Sequence, residues 1–280
     1  MAFFSLSQIV RISRPRFWIY LLGPYLLGVL SAHPTRENVH FMTFLLAFFF
    51  TVPANFFLYG INDLFDYETD KLNPKKQGYE TLMKPDAHSA MRWGAVCVAA
   101  FLLLLMIWIP FWASVLCLFF LFLSYFYSAP SIRAKARPIL DSAFNVLYLI
   151  PGLIGFLSFG NTQMHWPIVI AASLWCMAMH AYSAVPDILS DKQARLRTIA
   201  TLLKKNATLL LCAILYATAA ALTWNVLGFI SLIGGSIYVA LMVITAMQKT
   251  PSDQLAIYRV FPWVNTAMGA MIFFSLLLHR

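Results

Sequence analysis

The stretch FMTFLLAFFFTVPANFFLYGINDLFDYETD, residues 41–70, decides how the rest of the chain is read. Its first part, up to Ile61, is almost wholly apolar. About 20 such residues carry a helix across a bilayer. Residues 62–70, NDLFDYETD, then set Asp63, Asp66, Glu68 and Asp70 at the end of that helix. Carboxylates at the edge of hydrocarbon are costly unless something cationic faces them. The segment therefore predicts a membrane helix over 40–61 and a charged site at its end.

The remaining sequence extends the same pattern. Of 280 residues, 61% are hydrophobic and 11% charged. Apolar runs cover 17–32, 40–61, 90–109, 111–128, 139–158, 166–187, 207–227, 228–247 and 257–278. Pro110 alone separates the third run from the fourth, which predicts a tight helical hairpin. The runs lack the strict alternation of a membrane β-barrel. The expected fold is an all-α integral membrane protein of nine transmembrane helices, forming one domain over 1–280.

Charge placement orients it. With the N-terminus inside, every Lys and Arg except Arg36 and Arg280 falls on the inner side, which is the cytoplasmic excess of basic residues. All acids but Glu37 fall there too. Acids do little to set orientation, so their crowding points to a site. The expectation is a multi-pass protein of the cell membrane with its N-terminus and the mouth of its site cytoplasmic. The net charge of +9 then reflects topology and anions on that face, not nucleic acid. Residues 1–16 read as an amphipathic helix leading into the first span rather than a signal peptide. Cys97, Cys117, Cys176 and Cys212 stand singly in apolar runs and read as packing residues.

Taken as helical, Asn62, Asp66 and Asp70 recur every four residues, and Asp63 lies three from Asp66, so all share one stripe. Asn55, seven residues before Asn62, extends it deeper into the membrane. Glu68 falls off the stripe and is predicted to face solvent or a lysine. Two kinds of cation could compensate the acids: Lys and Arg, for which KLNPKKQ (71–77) is at hand, or a hard divalent metal, which takes oxygen ligands. A second motif lies in HAYSAVPDILSDKQARLRTIAT, residues 180–201. Asp187 and Asp191 are four apart, His180 is in helical phase with Asp187, and Lys192, Arg195 and Arg197 follow. The loop APSIRAKARP, residues 129–138, adds Arg133, Lys135 and Arg137. Two carboxylate motifs and two basic clusters on one side fit a diphosphate with Mg²⁺, where metals bridge carboxylates to phosphate oxygens and Arg or Lys neutralises the remaining charge. Tyr59, Tyr125, Tyr127 and Tyr182 lie near the depth of these motifs and read singly first as packing or lipid contacts. Asp141 and Asn145, also four apart, read either as functional or as a structural hydrogen bond between helices. There is no GxxxxGK[ST] loop, no HExxH and no GxSxG, which argues against nucleoside triphosphatase, zinc hydrolase and serine hydrolase chemistry.

NDxxDxxxD after the second run, DxxxD after the sixth and YSAPSIRAK after the fourth resemble the UbiA superfamily of intramembrane prenyltransferases. The wording SRPRFWIYLLGP (13–24), TVPANFFLYGINDLFDYETDKLNPKK (51–76) and MHAYSAVPDILSDKQARLRTIAT (179–201) is similar to its lycopene elongase branch. The resemblance implies nine helices around a central apolar cavity opening near the cytoplasmic side. It implies Mg²⁺ held by Asp63, Asp66, Asp70, Asp187 and Asp191, with Asn55 and Asn62 beside them. It implies that Arg133, Lys135, Arg195, Arg197, Tyr127, Tyr182 and His180 bind substrate. The implied partners are a prenyl diphosphate, a hydrophobic acceptor and membrane lipid. The favoured reaction is dimethylallyl transfer to a carotenoid such as lycopene. The alternatives are prenylation of an aromatic or quinone precursor with a longer donor, and a transporter or lipid-binding protein with a metal-stabilised mouth. Aromatic-acceptor members carry Tyr and Lys where this chain has His180 and Ala184, which argues for a non-aromatic acceptor.

Overall fold

The computed structural model describes residues 4–71 and 83–278, without the side chains of Arg36, Thr69 and Asp70. Among the described residues the regular secondary structure is all helical, with no strand. In chain order the helices are α1 (Leu6–Ile12), α2 (Ile19–Ser31), α3 (Phe41–Thr51), α4 (Pro53–Phe65), α5 (Tyr67–Asp70), α6 (His88–Leu105) and α7 (Phe111–Phe126). Then follow α8 (Leu140–Ala143), α9 (Ile150–Leu157), α10 (Trp166–Ser183), α11 (Ile188–Gln193), α12 (Ile199–Leu227), α13 (Phe229–Met247), α14 (Pro251–Tyr258) and α15 (Phe261–Leu278). Each of the nine apolar runs contains helix. Six stretches are long and apolar enough to cross a bilayer: Phe41–Phe65, Pro85–Trp108, Leu140–Leu157, Ile199–Leu227, Phe229–Met247 and Pro251–Leu278. Large apolar side chains stand exposed on them, among them Trp108, Leu210, Phe229 and Phe274. That pattern suits a hydrocarbon solvent, and the chain is a multi-pass membrane protein.

Two compact units divide the chain, each carrying one aspartate motif: residues 1–133 with 150–162, and residues 134–149 with 163–280. In the first, α2 crosses α9 on glycines. A Cβ on Gly28 would overlap the carbonyl oxygen of Gly152, and one on Gly155 would lie 2.5 Å from the Tyr25 carbonyl oxygen. In lipid, close backbone approach replaces the hydrophobic effect as the source of helix association. Gly28→Val is accordingly expected to destabilise the protein by more than about 1–3 kcal/mol, the usual cost of overpacking, seen as a lower melting temperature in detergent.

The long run 40–61 breaks at Val52, because Pro53 has no N–H to continue the ladder. Asn55 repairs the break. Its Nδ2 donates to the carbonyls of Phe50 (3.1 Å) and Thr51 (2.8 Å), and the residue is fully buried. The lead-in helix α1 forms as expected, closed by a Ser5–Gln8 capping box. Ile9 and Ile12 pack on the cluster of Phe56, Ile61 and Met91, so α1 docks on α4 and α6.

In the second unit α12 packs on α10 and α13. Lys204, at φ 65° and ψ 170°, interrupts α12. Lys205 then turns to cap α13, its Nζ donating to the carbonyls of Ala246 (3.0 Å) and Gln248 (2.8 Å). Those carbonyls have no partner within their own helix. Tyr182, Tyr238, Tyr258 and Phe261 form an aromatic core.

Candidate active site

The first motif is not one continuous helical stripe. Helix α4 ends at Phe65, and Asp66 is its C-cap at φ −104° and ψ 4°. The chain restarts as the short α5, which holds the Asp70 backbone. Ending α4 here places the Asp66 carboxylate at the negative end of the helix dipole, a repulsion that donors or a cation must offset. Asp66 is fully buried, and its Oδ2 accepts from the Ser128 hydroxyl (3.3 Å), just beyond α7. Asn62 remains in α4 and is half-buried, its carbonyl accepting from the Asp66 N–H (3.0 Å).

Among the described residues, Arg14 is a cation facing Asp63. Its guanidinium lies 2.6 Å from Asp63 Oδ1, and both side chains are largely buried. The same guanidinium sits 4.6 Å from the Tyr59 ring centroid. Arg14 adopts a left-handed φ of 50° between α1 and the 3-10 turn at Pro15–Phe17, which turns its side chain toward α4. The loop weighed as a source of compensating lysines lies outside the described residues apart from Lys71, as does the Asp70 side chain. Lys71 pairs with Glu68 at 2.7 Å, in keeping with the outward placement of Glu68. That hydrogen bond pushes the Lys71 pKa up.

The second motif also departs from a continuous helix. Helix α10 stops at Ser183, ahead of Pro186, which cannot donate to the ladder and restrains the residue before it. Asp187 is the N-cap residue of α11, and the Asp191 N–H bonds back to its carbonyl (2.8 Å). The two aspartates keep their four-residue relation on a helix of their own. His180 therefore shares no helical phase with Asp187. Its Nε2 instead lies 3.8 Å from Asp141 Oδ2. Asp191 is held from two sides: the Leu196 N–H donates to its carbonyl (2.8 Å) and the Thr198 hydroxyl to its Oδ2 (3.4 Å). Lys192, Arg195 and Arg197 line one open cleft of about 410 Å³ with Thr201, Pro138, Leu196 and Leu202.

The remaining residues are placed more variously. Tyr127 caps α7 and is half-buried. Arg133, half-buried at a left-handed φ of 47°, ends the first unit's loop, and Lys135 lies in the second unit's turn Ala134–Ala136. Tyr182 is fully buried in the aromatic core, its hydroxyl 2.9 Å from Thr245 Oγ1. Tyr182→Phe is expected to cost about 1 kcal/mol of stability and to leave turnover within twofold, measured as melting temperature and initial rate. A tenfold loss of rate would instead support the substrate-binding role expected for Tyr182 from the sequence. Through the fold alone, Arg14 and Ser128 meet the first motif and Thr198 meets the second. Arg14 stands in a run of three arginines whose placement reads only as topology, and Ser128 lies next to Tyr127. Among the described residues no three His, Cys, Asp or Glu side chains converge on one point.

A model of the UbiA prenyltransferase family matches residues 21–275. The chain belongs to the UbiA prenyltransferase family. This prenyltransferase is 36% identical to the lycopene elongase/hydratase of Haloarcula japonica over 96% of its own length and 90% of the relative's. It is 36% identical to that of Halobacterium salinarum, over 94% of each chain. It is 33% identical to that of Corynebacterium glutamicum, over 93% of each. Among solved structures, a UbiA homologue from Archaeoglobus fulgidus bound to GPP and Mg²⁺ matches with a TM-score of 0.72 at 20% identity, over 96% of this chain and 99% of that one. The ligand-free UbiA homologue from Aeropyrum pernix matches with a TM-score of 0.72 at 18% identity, over 95% and 98%. At that identity the likeness is one of fold.

Proposed function

We propose that this prenyltransferase transfers a dimethylallyl group from dimethylallyl diphosphate to the end of a carotenoid such as lycopene. The observation that carries the acceptor is the agreement of relatives from haloarchaea and Corynebacterium, at 33–36% identity over nearly the whole chain, all lycopene elongase/hydratases. The chain 1–280 acts as one domain with nine crossings, its N-terminus and catalytic mouth on the cytoplasmic face of a cell membrane.

The donor set suits Mg²⁺. Mg²⁺ takes one or two carboxylates and completes its shell with water and substrate phosphates rather than an all-protein cage. Paired aspartates, Asp63 with Asp66 and Asp187 with Asp191, match that habit. Asp63, Asp66, Asp70, Asp187 and Asp191 would hold the metal, with Asn55 and Asn62 beneath the first motif. When bound, Mg²⁺ neutralises the charge that develops on the leaving diphosphate. Ser128 orients Asp66. Lys192, Arg195 and Arg197, with Arg133 and Lys135, neutralise the remaining phosphate charge. The allylic C–O bond breaks with its electron pair leaving on the diphosphate. The acceptor alkene attacks the allylic cation, a C–C bond forms, and the new cation loses a proton or captures water. Apolar surroundings protect the cation from early hydrolysis.

Expression in a lycopene-producing host tests the acceptor. The expected result is conversion of lycopene into products heavier by whole five-carbon units. Unchanged lycopene together with prenylation of an added aromatic acid would replace this reading with the aromatic one. Mg²⁺-independent diphosphate release, or none with any acceptor, would remove the metal-assisted ionisation mechanism.

A further inference from the structure

We infer that Asp141 is a positioning residue that pins the C-terminal end of the segment carrying the second aspartate motif, where α12 begins. The inference rests on the reading of Asp187 and Asp191 as metal-holding groups. All its observations lie within the second unit.

Asp141 is a fully buried carboxylate in the short helix α8. Burying a carboxylate is expensive unless donors surround it. Its Oδ1 accepts from the Ser142 N–H (2.8 Å) and its Oδ2 from the Ile199 N–H (2.6 Å). Ile199 opens α12, where N–H groups lack partners and the helix dipole is positive. Thr198 already caps that helix through the Thr201 N–H (3.2 Å). The carboxylate comes from 58 residues away, so its gain is long-range. The same Oδ2 lies 3.8 Å from His180 Nε2, three residues before the end of α10. The segment between α10 and α12 contains Asp187, Asp191, Arg195 and Arg197. One carboxylate thus bonds the first turn after the segment and lies near the last turn before it without a hydrogen bond there. Asn145 holds Asp141 in place, its Nδ2 donating to the Asp141 carbonyl (2.6 Å). From the far end, Thr198 passes the restraint directly to Asp191 Oδ2.

Asparagine in place of Asp141 keeps the size but offers one acceptor oxygen to two backbone N–H groups. The full-length protein in detergent is titrated with MgCl₂ at fixed inorganic pyrophosphate, and the rise in melting temperature is followed. Asp141→Asn is expected to raise the Mg²⁺ midpoint about 10-fold or more, as loss of supporting groups around metal ligands does. Hydrogen exchange should quicken over 187–199. Asn265→Ala, which breaks the Tyr238 bond (2.9 Å) elsewhere in the unit, controls for general destabilisation and should leave the midpoint unchanged. An unshifted midpoint in Asp141→Asn, or equal shifts in both variants, overturns the inference. Asp187→Asn separates the two failures. A wild-type midpoint there removes the second motif from the metal site and this inference with it, whereas a shift there beside none in Asp141→Asn overturns the strut alone. If Asp141→Asn does not fold, Thr198→Val against Thr198→Ser reads the same strut from its other end. Only the valine variant should shift the midpoint, and equal midpoints overturn the inference.

Discussion

Asp66→Ala and Asp187→Ala are each expected to lower Mg²⁺-dependent diphosphate release by about 10³-fold, the scale on which losing one transition-state electrostatic group acts. The reasoning is strongest for Asp66. This carboxylate, at 0% exposure beside the end of a membrane helix, accepts from the neutral hydroxyl of Ser128. A group so buried is not there for solubility. Its 3.3 Å bond to Ser128 is worth about 1 kcal/mol, so the melting temperature reads what folding loses when the carboxylate is removed. Asp66→Asn keeps an acceptor for Ser128 and deletes only the charge, so it should fold like the wild type and still fail to turn over. Asp187 tests the other motif independently, because it caps α11 within the second unit. Initial rates of diphosphate release, read with melting temperatures, check both. Near-wild-type turnover in either alanine variant would remove that motif from the mechanism.

Arg14→Gln is expected to destabilise the protein by about 3 kcal/mol or more, the cost of leaving one partner of a buried ion pair behind. Arg14 is 14% and Asp63 6% exposed at the side chain, so solvent screens the pair weakly. The loss should also free α1, whose Ile9 and Ile12 reach the α4 core just before Arg14 closes on Asp63. Proteolysis within the first sixteen residues should become faster. The double variant Arg14→Met with Asp63→Leu deletes both charges and keeps the volume apolar. It should recover most of the stability, as replacing whole buried pairs does. Turnover should stay low, since Asp63 also belongs to the proposed metal set. Recovered turnover would make Asp63 an anchor for the N-terminal segment and nothing more.

The motifs were legible because their chemistry is local. Asp63, Asp66 and Asp70, or Asp187 and Asp191, announce themselves by spacing alone. The geometry was less legible. A stripe drawn through Asn62, Asp66 and Asp70 assumed one helix, while α4 ends at Phe65. The phase that linked His180 with Asp187 assumed another, while α10 ends at Ser183. The second break has Pro186 beside it while the first carries no such marker, and periodicity cannot register a break it does not anticipate. Asn55 has a role that spacing did not register: its amide nitrogen closes the kink at Pro53.

By itself the sequence determined the all-helical membrane class, the Lys/Arg bias that proposes an orientation, and the two acidic motifs with basic residues beside the second. These follow from composition and short spacings, where the cost of placing polar groups in hydrocarbon leaves few choices. Tertiary structure alone decided which cation meets Asp63, which hydroxyl meets Asp66 and which carboxylate holds the start of α12. Arg14 and Asp63 are 49 residues apart, Ser128 and Asp66 are 62 apart, and Asp141 and Ile199 are 58 apart. No local propensity selects such partners. They are chosen by helix packing, which brings a buried charge to whichever donor lies within reach.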